Sequence, residues 1–503
     1  MRYFALACDY DSTLADHGTV KDSTVDALRR LAASDRKLIL VTGRELDDLR
    51  QVFPRHEIFH RIVAENGAIL YSPASRQARA LADPPPREFI RALREAGVAP
   101  LSIGTSIVST SQPHGATVLK VIHDLGLEMQ VIYNRDAAMV LPSGVNKATG
   151  LLAALPDLGL SRHNTVGVGD AENDHALLNG CEFRVAVANA IPMLKERADF
   201  VTTEPDGKGV EQLIERMLAD DLRSLEPRVQ RYAALLGHTE DGAEVALPSF
   251  GKSLVIAGPP ASGKSTVVTA IVERLLEAEY QVCLIDPEGD YDDLENVVAL
   301  GNASRAPEVS EVAAALQKPK TSVSVNLLGL PVSDRPLFFA SLFPQIQELR
   351  ARTGRPHWII IDEAHHLLPS AGSASMAPIP RDFPNLVLAT VDVSAVWPPI
   401  LKSMNGIIAV GASAHETIRD FARIAARVSP IDSPLLSQLG EAFLWFADGA
   451  REPLLVRVQS PAAETRRHKR KYAEGRLGPD NSCYFKGPDG KLNLRAQRNR
   501  RGH

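Results

Sequence analysis

Two aspartates, Asp9 and Asp11, follow the short apolar run 3–8 and are separated by one residue. A buried strand that ends in Asp-x-Asp places both carboxylates in a crevice at the carboxyl edge of an open α/β sheet. One carboxylate can attack phosphorus while it binds magnesium, and the other can carry the proton of the leaving group. An acid-rich strand end or a helix N-cap has the same local pattern, so the interpretation depends on further motifs.

Two more polar residues are predicted at the same edge. Thr42 follows the apolar run 37–41, and its hydroxyl can donate a hydrogen bond to a phosphoryl oxygen. Lys147 opens a predicted helix and can neutralise charge on a phosphoryl group and on the aspartates. The alternatives are an N-cap for Thr42 and a solvated surface position for Lys147. Both residues are candidate catalytic groups beside Asp9 and Asp11.

A third strand end carries the run Gly-Asp-Ala-Glu-Asn-Asp over 169–174. Carboxylate and carbonyl oxygens are the ligands that magnesium prefers. Asp170 and Asp174 can therefore complete an octahedral oxygen site with Asp9 and the backbone carbonyl of Asp11. Taken alone, the same run would be a loop of helix caps. The predicted ligands of the first magnesium are Asp9, Asp11, Asp170 and Asp174.

A second motif, Gly-Pro-Pro-Ala-Ser-Gly-Lys-Ser-Thr at 258–266, lies between a predicted strand, 253–257, and an amphipathic helix, 267–276. Backbone N–H groups and the helix N-terminus can bind phosphates. Lys264 can reach the β and γ phosphates of ATP, and Ser265 can bind a second magnesium. This strand, loop and helix context favours a nucleotide site over a glycine-rich turn.

Asp362 and Glu363 follow the continuous apolar run 358–361, which is typical of a central parallel strand. Asp362 can hold magnesium through water, and Glu363 can orient the attacking water. That glutamate favours ATP hydrolysis over phosphoryl transfer to another substrate. Thr390 either senses the γ phosphate or merely ends its strand. The predicted nucleotide-binding residues are Gly258, Gly263, Lys264, Ser265, Thr266 and Asp362, with Glu363 as catalytic residue.

These motifs require two α/β units, which agrees with a chain of 503 residues. The pattern over 1–222 predicts a Rossmann-like core with an inserted α+β cap at about 81–140, which contains one strand near 101–109. A turn-rich linker is predicted over 223–250. Helix-flanked strands predict a P-loop α/β domain over 251–460, followed by a basic C-terminal tail, 461–503.

The composition, with 45% hydrophobic and 23% charged residues, is typical of a soluble globular protein. No apolar run approaches the roughly 18 residues of a membrane span, so no membrane partner is expected. The N-terminus lacks a signal-peptide pattern, which predicts a cytoplasmic location. The four cysteines lie far apart, so neither a zinc site nor a disulfide framework is indicated.

Charge is distributed unevenly along the chain. The net charge is −5, yet 465–503 contains twelve Lys and Arg residues against three Asp and Glu residues. A basic tail can contact nucleic acid, phosphate or the protein's own acidic body. Nucleic acid is therefore a candidate partner, and a solvated tail is an equal alternative.

The first half resembles the haloacid dehalogenase superfamily of phosphatases, specifically its Cof-type, subfamily IIB sugar-phosphatase-like branch. The resemblance spans about 1–220 and includes the position of the cap. Its motifs, in order, are Asp9-Tyr-Asp-Ser-Thr13, Thr42-Gly-Arg44, Glu65-Asn-Gly67, Lys147, Gly169-Asp-Ala-Glu-Asn-Asp174 and the stretch 185–210.

The resemblance implies a role for each matching position. Asp9 would be the nucleophile that forms an aspartyl-phosphate, and Asp11 the general acid and base. Thr42 and Lys147 would bind the transferring phosphoryl group. The magnesium ligands would be Asp170, with Asp174 and Asn173 nearby. The chain departs from this branch at Ser12, where glycine is usual.

The run Leu-Ile-Asp-Pro-Glu-Gly-Asp-Tyr at 284–291, with Asp-Glu-Ala-His at 362–365, resembles the HerA/FtsK group of ATPases, which includes DNA translocases and secretion motors. The resemblance covers about 245–460. It departs at Glu288, where histidine is frequent, and at Val391, where glutamine is common. Such a domain implies a homo-oligomer with an arginine finger from a neighbour. The candidate arginine fingers are Arg423, Arg427 and Arg451.

The leading hypothesis is a magnesium-dependent phosphatase for a small phosphorylated metabolite, a sugar phosphate or a phosphoglycolate-like acid, fused to an ATP-binding and ATP-hydrolysing P-loop domain. One alternative is a nucleic-acid end-processing phosphatase and kinase. Another is a DNA-binding or translocase-like module, or a non-catalytic nucleotide switch, that regulates the phosphatase. The predicted cofactors are Mg²⁺ and ATP.

Overall fold

Two large mixed sheets organise the computed structural model, which describes residues 1–134, 136–229, 231–371, 383–429, 438, 440–447 and 452–462, with the backbone of Cys483–Lys486 and Asn493–Ala496. The predicted α/β class is confirmed. The strands in these parts are β1 (Ala5–Cys8), β2 (Lys37–Val41), β3 (Arg61–Ala64), β4 (Ile69–Ser72), β5 (Gln77–Ala80), β6 (Leu101–Ile103), β7 (Val108–Ser111), β8 (Met129–Asn134), β9 (Ala137–Pro142), β10 (Thr165–Gly169), β11 (Phe183–Ala186), β12 (Phe200–Val201), β13 (Ala234–His238), β14 (Glu244–Leu247), β15 (Leu254–Ala257), β16 (Val282–Asp286), β17 (Val297–Leu300), β18 (Ser322–Asn326), β19 (Trp358–Ile361), β20 (Leu386–Thr390), β21 (Gly406–Val410), β22 (Glu441–Phe446), β23 (Leu454–Val458), β24 (Cys483–Lys486) and β25 (Asn493–Ala496).

The α-helices in the same parts are α1 (Asp22–Ala33), α2 (Leu46–Val52), α3 (Arg87–Glu95), α4 (Gly115–Asp124), α5 (Lys147–Ala154), α6 (Asp174–Asn179), α7 (Pro192–Arg197), α8 (Asp206–Asp220), α9 (Lys264–Glu277), α10 (Val309–Gln317), α11 (Arg335–Thr353), α12 (Pro398–Leu401) and α13 (Ala414–Ile424). None of these helices is both long and apolar enough to cross a membrane.

The first sheet has the strand order β12-β11-β10-β1-β2-β3-β4-β5. The pairs from β12 to β3 are parallel, and β4 and β5 add an antiparallel edge. Strand β1 is buried throughout between β10 and β2, which explains its uninterrupted apolar sequence. Because parallel strands end at one edge, Asp9, Thr42 and Asp170 follow β1, β2 and β10 to the same side of the sheet.

A separate four-stranded sheet, in the order β6-β7-β9-β8, forms a small α+β unit with α3 and α4. Phe89, Leu93, Val118 and Val140 pack together in its core. Where the periodicity predicts one strand near 101–109, the structure has two strands joined by a turn. The turn frees backbone N–H groups that a single strand would have used in its ladder, and these groups bind a carboxylate of the main core, as described below.

The second sheet has the order β14-β13-β23-β22-β21-β15-β20-β19-β16-β18-β17. From β21 to β17 the strands are parallel, and an antiparallel extension continues from β22 to β14. Buried side chains cover both faces, with Val255 and Ile359 in one cluster and Ile256 and Ile360 in another. These alternating faces account for the continuous apolar runs.

The segment 223–250, predicted as a linker, contains the hairpin β13–β14 at the edge of the second sheet. Leu236 and Leu247 are buried there among residues of the P-loop domain. Gly237 is required by close packing, because a Cβ atom at that position would lie 1.9 Å from the carbonyl oxygen of Arg457. The second sheet therefore includes strands that precede the predicted boundary at 251.

The two large sheets meet at the amino-terminal ends of their strands. His357, which precedes β19, is hydrogen-bonded through Nε2 to Ser161 Oγ at 2.7 Å, just before β10. Arg355 donates two hydrogen bonds to the carbonyl oxygen of Gly159, at 2.9 and 2.7 Å. The imidazole of His163 stacks on Tyr280, with ring centroids 3.8 Å apart. The carboxyl ends of these strands therefore point away from the interface. A strand of five residues is roughly 17 Å long, and this length separates the carboxyl ends from the interface.

The predicted basic tail, 461–503, lies almost entirely outside the described residues. Within it, the structure describes only the residues up to 462 and the antiparallel pair β24–β25. Cys8, Cys181 and Cys283 are buried free thiols. Burial raises the pKa of Cys283 to about 12, so this thiol stays protonated and behaves as a core side chain.

Candidate functional site

Asp9, Lys147 and Asp174 form a buried charge cluster at the edge of the first sheet. Lys147 Nζ lies 2.5 Å from Asp9 Oδ1 and 2.6 Å from Asp174 Oδ1. The lysine side chain is only 1% exposed. Lys147 is therefore not a solvated surface residue, and its ammonium group balances two carboxylates that burial would otherwise leave uncompensated.

The backbone fixes the acids of this cluster. Asp174, the first residue of α6, accepts hydrogen bonds from the N–H groups of Asp170 and Ala171 at 2.9 and 3.0 Å. Asp170 in turn accepts a bond from the Thr13 hydroxyl at 3.1 Å. A Cβ atom on Gly169 would lie 2.5 Å from Asp174 Cγ, so glycine is needed where β10 turns into this loop.

Lys147 is positioned by the start of α5. Asn146 caps this helix, and its side-chain oxygen accepts the N–H groups of Ala148 and Thr149. Gly67 packs against the same cap: its φ is +113°, and a Cβ atom there would lie 2.0 Å from the carbonyl oxygen of Asn146. The turn after β3 therefore sets the position of the lysine.

Three carboxylates in this cluster can hold a metal ion. Asp9, Asp170 and Asp174 are buried, and one oxygen from each lies within 4.8 Å of the others. Hard oxygen donors at this spacing fit Mg²⁺. The Asp11 side chain is not a member of this group; its predicted contribution was the backbone carbonyl. Three of the four predicted ligand residues, Asp9, Asp170 and Asp174, therefore offer side-chain oxygens that fit Mg²⁺.

Burial controls the electrostatics of the nucleophile candidate. Burial, followed by the nearby Asp174 carboxylate, raises the pKa of Asp9 well above its ordinary value, and Lys147 opposes the rise. Burial alone would lower the pKa of Lys147, but the carboxylates of Asp174 and Asp9 outweigh it and raise that pKa. The lysine is therefore charged, and a cation beside Asp9 favours its carboxylate form.

Asp11 lies at the open side of this site and pairs with Arg44. The guanidinium donates to both oxygens of Asp11, from Nη2 at 2.6 Å and from Nε at 2.8 Å, and Nη1 binds Asp48 at 2.7 Å. The Asp11 side chain is 42% exposed. Arg44 was noted within the Thr-Gly-Arg motif without a role, because the motif does not tell which acid its side chain reaches.

Thr42 is fully buried beyond the end of β2. Its Oγ1 accepts the N–H of Arg44 at 3.1 Å, and its carbonyl oxygen accepts the N–H of Asn66 at 2.9 Å. These bonds organise the turn before α2, but Thr42 is not the N-cap of that helix, because the N-cap residue is Glu45. The hydroxyl hydrogen can still donate to a phosphoryl oxygen, because accepting one bond does not use it.

The cap unit is fixed over the site by Glu65. Its carboxylate accepts the N–H groups of Thr105, Ser106 and Ile107 at 2.9, 2.7 and 3.1 Å. Met139, from β9, reaches the motif after β2: its sulfur would lie 3.3 Å from a Cβ atom on Gly43. The cap therefore contacts the catalytic core directly.

Two amides below the cap have unused hydrogen-bonding atoms. Asn173 Nδ2 donates to Asn66 Oδ1 at 3.2 Å. Asn66 Nδ2 and Asn173 Oδ1 are buried and, within the described residues, lack a hydrogen-bond partner. A substrate or water with polar groups would satisfy them. The sequence places Asn66 in a motif of the family resemblance without a role, and no pattern assigns Met139 to the site.

The candidate nucleotide site is built around the loop before α9. Lys264, the first residue of α9, donates through Nζ to the carbonyl oxygens of Gly258 and Pro259 at 3.0 and 3.1 Å. Gly263 has a φ of +102°, which turns the loop into the helix. Ser265 and Thr266 follow in the first turn of α9, so all five predicted loop residues surround one helix N-terminus, where phosphates bind favourably.

Asp362 and Glu363 follow β19, two strands from the P-loop strand β15. Asp362 Oδ2 accepts the Tyr291 hydroxyl at 2.7 Å. Glu363 Oε2 lies 3.4 Å from His365 Nδ1, which is 3.3 Å from the hydroxyl of Thr390 on the intervening strand β20. The structure thus brings together the acid pair and the predicted γ-phosphate sensor.

The loop at 286–291, to which the sequence pattern assigns no role, supports Asp362. Asp286 at the end of β16 accepts the N–H groups of Gly289 and Tyr291 at 2.8 and 2.9 Å. Burial raises the pKa of Asp286 to about 7. Tyr291 is thereby held against Asp362. A tyrosine five residues after a strand-end aspartate was the available signal, but no spacing rule predicts its contact.

The predicted arginine fingers are only partly placed. Arg423, on α13, is exposed and forms an ion pair with Asp420 at 2.9 Å. Arg427 follows the same helix, and its N–H binds the carbonyl oxygen of Ala422 at 2.8 Å. Arg451 lies outside the described residues. The choice among the three stays a prediction.

Two family models match separate parts of the chain. Residues 6–99 and 114–214 match the haloacid dehalogenase-like hydrolase family, and 250–397 match an AAA domain. The HerA/FtsK grouping within the P-loop ATPases stays a prediction.

Curated relatives match the first domain. Phosphoglycolate phosphatase of Methanothermobacter thermautotrophicus is 30% identical over 223 residues, which cover 42% of this chain and 98% of the relative. Phosphoglycolate phosphatase 1 of Saccharolobus solfataricus is 28% identical and covers 42% of this chain and 93% of its own. A haloacid dehalogenase-like hydrolase structure from Bacteroides thetaiotaomicron, 18% identical, covers 43% of this chain and all of its own with a TM-score of 0.38. The chain belongs to the haloacid dehalogenase-like hydrolase family and carries an AAA-type P-loop domain behind it.

Proposed function

We propose that the first domain is a magnesium-dependent phosphatase that hydrolyses a small phosphorylated acid of the phosphoglycolate type through an aspartyl-phosphate on Asp9. The observation that carries the proposal is the buried cluster in which Lys147 holds Asp9 beside two further carboxylates. The phosphoglycolate phosphatases among the relatives support this substrate class. Residues 1–222 form the proposed phosphatase unit, with the cap near 81–140.

The proposed reaction has two steps. In the first, an Asp9 carboxylate oxygen attacks phosphorus, the ester P–O bond breaks, and Asp11 gives its proton to the leaving oxygen. In the second, Asp11 takes a proton from water as the water oxygen attacks phosphorus, and the bond to Asp9 breaks to release phosphate. Bound Mg²⁺ would polarise the phosphoryl oxygens and offset their charge.

The chain's own residues supply the positioning. Lys147 keeps the Asp9 carboxylate in place and neutralises the transferring group. Arg44 holds Asp11 at the open side, where solvent can exchange its proton. Glu65 fixes the cap turn on the core, and Met139 approaches Gly43, so the cap packs directly on the motif that follows β2.

Phosphate release from 2-phosphoglycolate, glucose 6-phosphate and glycerol phosphate by the full chain with Mg²⁺ tests this proposal. Turnover should be fastest with 2-phosphoglycolate, and Asp9→Asn should reduce it by at least about 10³-fold, because the nucleophile is lost. Asp16→Asn is the matched control, since Asp16 is a partly exposed aspartate outside the cluster. Turnover that survives in Asp9→Asn would reject the nucleophile, and a preference for a sugar phosphate would reject the substrate class.

We infer that the second domain binds and hydrolyses ATP. Lys264 at the start of α9, together with Asp362 and Glu363 near Thr390, supports this function. In this assignment Ser265 holds magnesium, and Glu363 orients water for attack on the γ phosphate. The glutamate favours hydrolysis over kinase-type transfer.

ATP binding and phosphate release can be measured separately on the full chain. Glu363→Gln should retain ATP binding and lose at least about 100-fold in hydrolysis, because Gln cannot take a proton from water. Lys264→Met should lose binding itself, and Lys402→Met on the protein surface should change neither. A Glu363→Gln variant with full turnover would contradict the role of the glutamate; binding without turnover in the wild type would favour the nucleotide switch.

A further inference from the structure

A cavity of about 460 Å³ lies between the two domains, at the amino-terminal side of their sheets and away from both phosphate sites. The first domain contributes Arg2 and Asn164 to its wall. The second contributes Tyr280, Arg350 and Asn385. Its volume falls in the range of about 300–1,000 Å³ that small-molecule sites occupy. No residue proposed for either reaction lines it.

The wall of this interdomain cavity is positively charged. Arg2, Arg223 and Arg350 line it, and none of the lining residues, all within the part of the chain that the structure describes, is Asp or Glu. The charge of Arg2 is compensated outside the wall, because its Nη2 lies 2.5 Å from the carboxylate of Glu182. The other two guanidinium groups leave the cavity electropositive, which favours an anion.

Arg350 on α11 is the group that most needs a partner. Its Nη2 donates to the carbonyl oxygen of Pro384 at 3.0 Å, and its guanidinium lies 4.6 Å from the centre of the Phe383 ring. Its Nη1 is buried and, among the described residues, has no hydrogen-bond partner. Burial lowers the pKa of Arg350 to about 10. A guanidinium in this state destabilises the fold unless an anion compensates it.

Two other polar residues of the wall, Asn385 and His357, are hydrogen-bonded within the protein. Asn385 donates to the carbonyl oxygen of Ser249 at 3.0 Å and accepts the N–H of Gly251 at 2.9 Å. His357 Nδ1 accepts the N–H of Gln281 at 2.8 Å, so this ring is neutral, and burial lowers its pKa well below the ordinary value. Asn385 and His357 are therefore bonded within the protein, and the positive charge of the wall comes from its arginines.

We propose that the interdomain cavity binds a small organic oxyanion, a carboxylate or a phosphate, through the guanidinium of Arg350. The positive charges of Arg350 and Arg223 attract the anion. The rings of Phe250 and Phe383 in the same wall accommodate an apolar or planar remainder. Because both domains contribute to the wall, the bound ligand also stabilises their mutual arrangement.

Calorimetric titration of the full chain tests this site. The chain carries Asp9→Asn and Lys264→Met, and EDTA is present, so that neither phosphate site competes. Inorganic phosphate and benzoate are the two probes. We expect saturable one-to-one binding of at least one probe, and the probe that binds identifies the phosphate or the carboxylate as the preferred group.

Variants of Arg350 in the same background locate the binding. Arg350→Met should weaken it by at least about tenfold, because one of the positive charges of the wall is lost. Arg352→Met, which changes an exposed arginine of the same helix, should bind as the parent does. If Arg350→Met does not fold, Arg350→Lys takes its place and should weaken binding less. Failure of both probes to bind, or equal binding by the Arg350 and Arg352 variants, would overturn the proposal.

Discussion

The two phosphate sites hold their lysines in opposite ways. In the phosphatase domain, Lys147 is clamped between Asp9 and Asp174, at 2.5 and 2.6 Å. In the P-loop domain, Lys264 donates to two neutral backbone carbonyls, of Gly258 and Pro259, at 3.0 and 3.1 Å. Both lysines are buried at the start of a helix.

The difference lies in what each lysine compensates. Lys147 neutralises acids that the fold itself has buried, so it is part of the folded state's charge balance. The carbonyl oxygens at Lys264 form weaker hydrogen bonds than charged phosphate oxygens do. The phosphates of a bound nucleotide can therefore replace these carbonyl oxygens as acceptors for Lys264. We expect Lys264 to contribute more to nucleotide binding than to stability.

The largest expected effect is on the free energy of unfolding, and it distinguishes Lys147 from Lys264. Lys147→Met should lower the free energy of unfolding by about 3–5 kcal/mol, because it leaves Asp9 and Asp174 buried without their cation. Urea denaturation of the full chain without metal measures this change. Lys120→Met on the exposed face of α4 is the control. Added Mg²⁺ should recover part of the loss, since it supplies the missing positive charge.

Lys264→Met is the corresponding substitution in the P-loop domain. Without nucleotide, the loss of its two hydrogen bonds to the carbonyl oxygens should cost about 1 kcal/mol of unfolding free energy. With ATP present, the wild type should gain thermal stability and this variant should not. Equal destabilisation by the two lysine substitutions would show that both lysines are structural and would contradict the proposed difference between the two sites.

A smaller effect is expected at Arg44, which holds Asp11 in the phosphatase site. Arg44→Ala should reduce kcat by about 10–100-fold with little change in KM, because the acid–base group loses its orientation. The unfolding free energy should change by less than about 1 kcal/mol, as for other partly exposed pairs. Arg44→Lys should restore part of kcat, and Arg29→Ala, in an exposed ion pair with Asp26, is the control. A change confined to KM would assign Arg44 to substrate binding.

The smallest effect concerns the interface behind both sites. Burial lowers the pKa of His357, so below about pH 6.5 the unfolded chain takes up a proton that the native ring does not. Stability from this histidine is therefore present above that pH and is lost as the pH falls. Between pH 7.5 and 5.5, the wild type should lose about 1 kcal/mol more than His357→Gln. His123→Gln, at an exposed position, should follow the wild type; identical profiles for all three would contradict the assignment.

Strand-end patterns allowed much of both sites to be anticipated. Asp9 and Asp170 each follow a buried apolar run, and parallel strands carry such residues to a common edge. The loop around Lys264 is a contiguous motif whose geometry is local. The hairpin between β6 and β7 was missed, because the turn at 104–107 is stabilised by Glu65, which lies about 40 residues away in the chain.

Side-chain partners were beyond the reach of local patterns. The pairing of Arg44 with Asp11, of Tyr291 with Asp362 and the approach of Met139 to Gly43 all join segments that the fold brings together. The predicted linker is a further case, since β13 and β14 became recognisable as strands through their pairing with each other and with β23.

The amino-acid sequence by itself determined the α/β class, the order of the two domains and the residues available for phosphate chemistry, because apolar periodicity and contiguous motifs are local properties. Only the tertiary structure decided that Lys147 is buried between two carboxylates, that Lys264 faces carbonyl oxygens, and that a cavity lined by Arg350 lies at the contact between the domains. These features depend on contacts between distant segments, whose geometry follows from packing rather than from spacing along the chain.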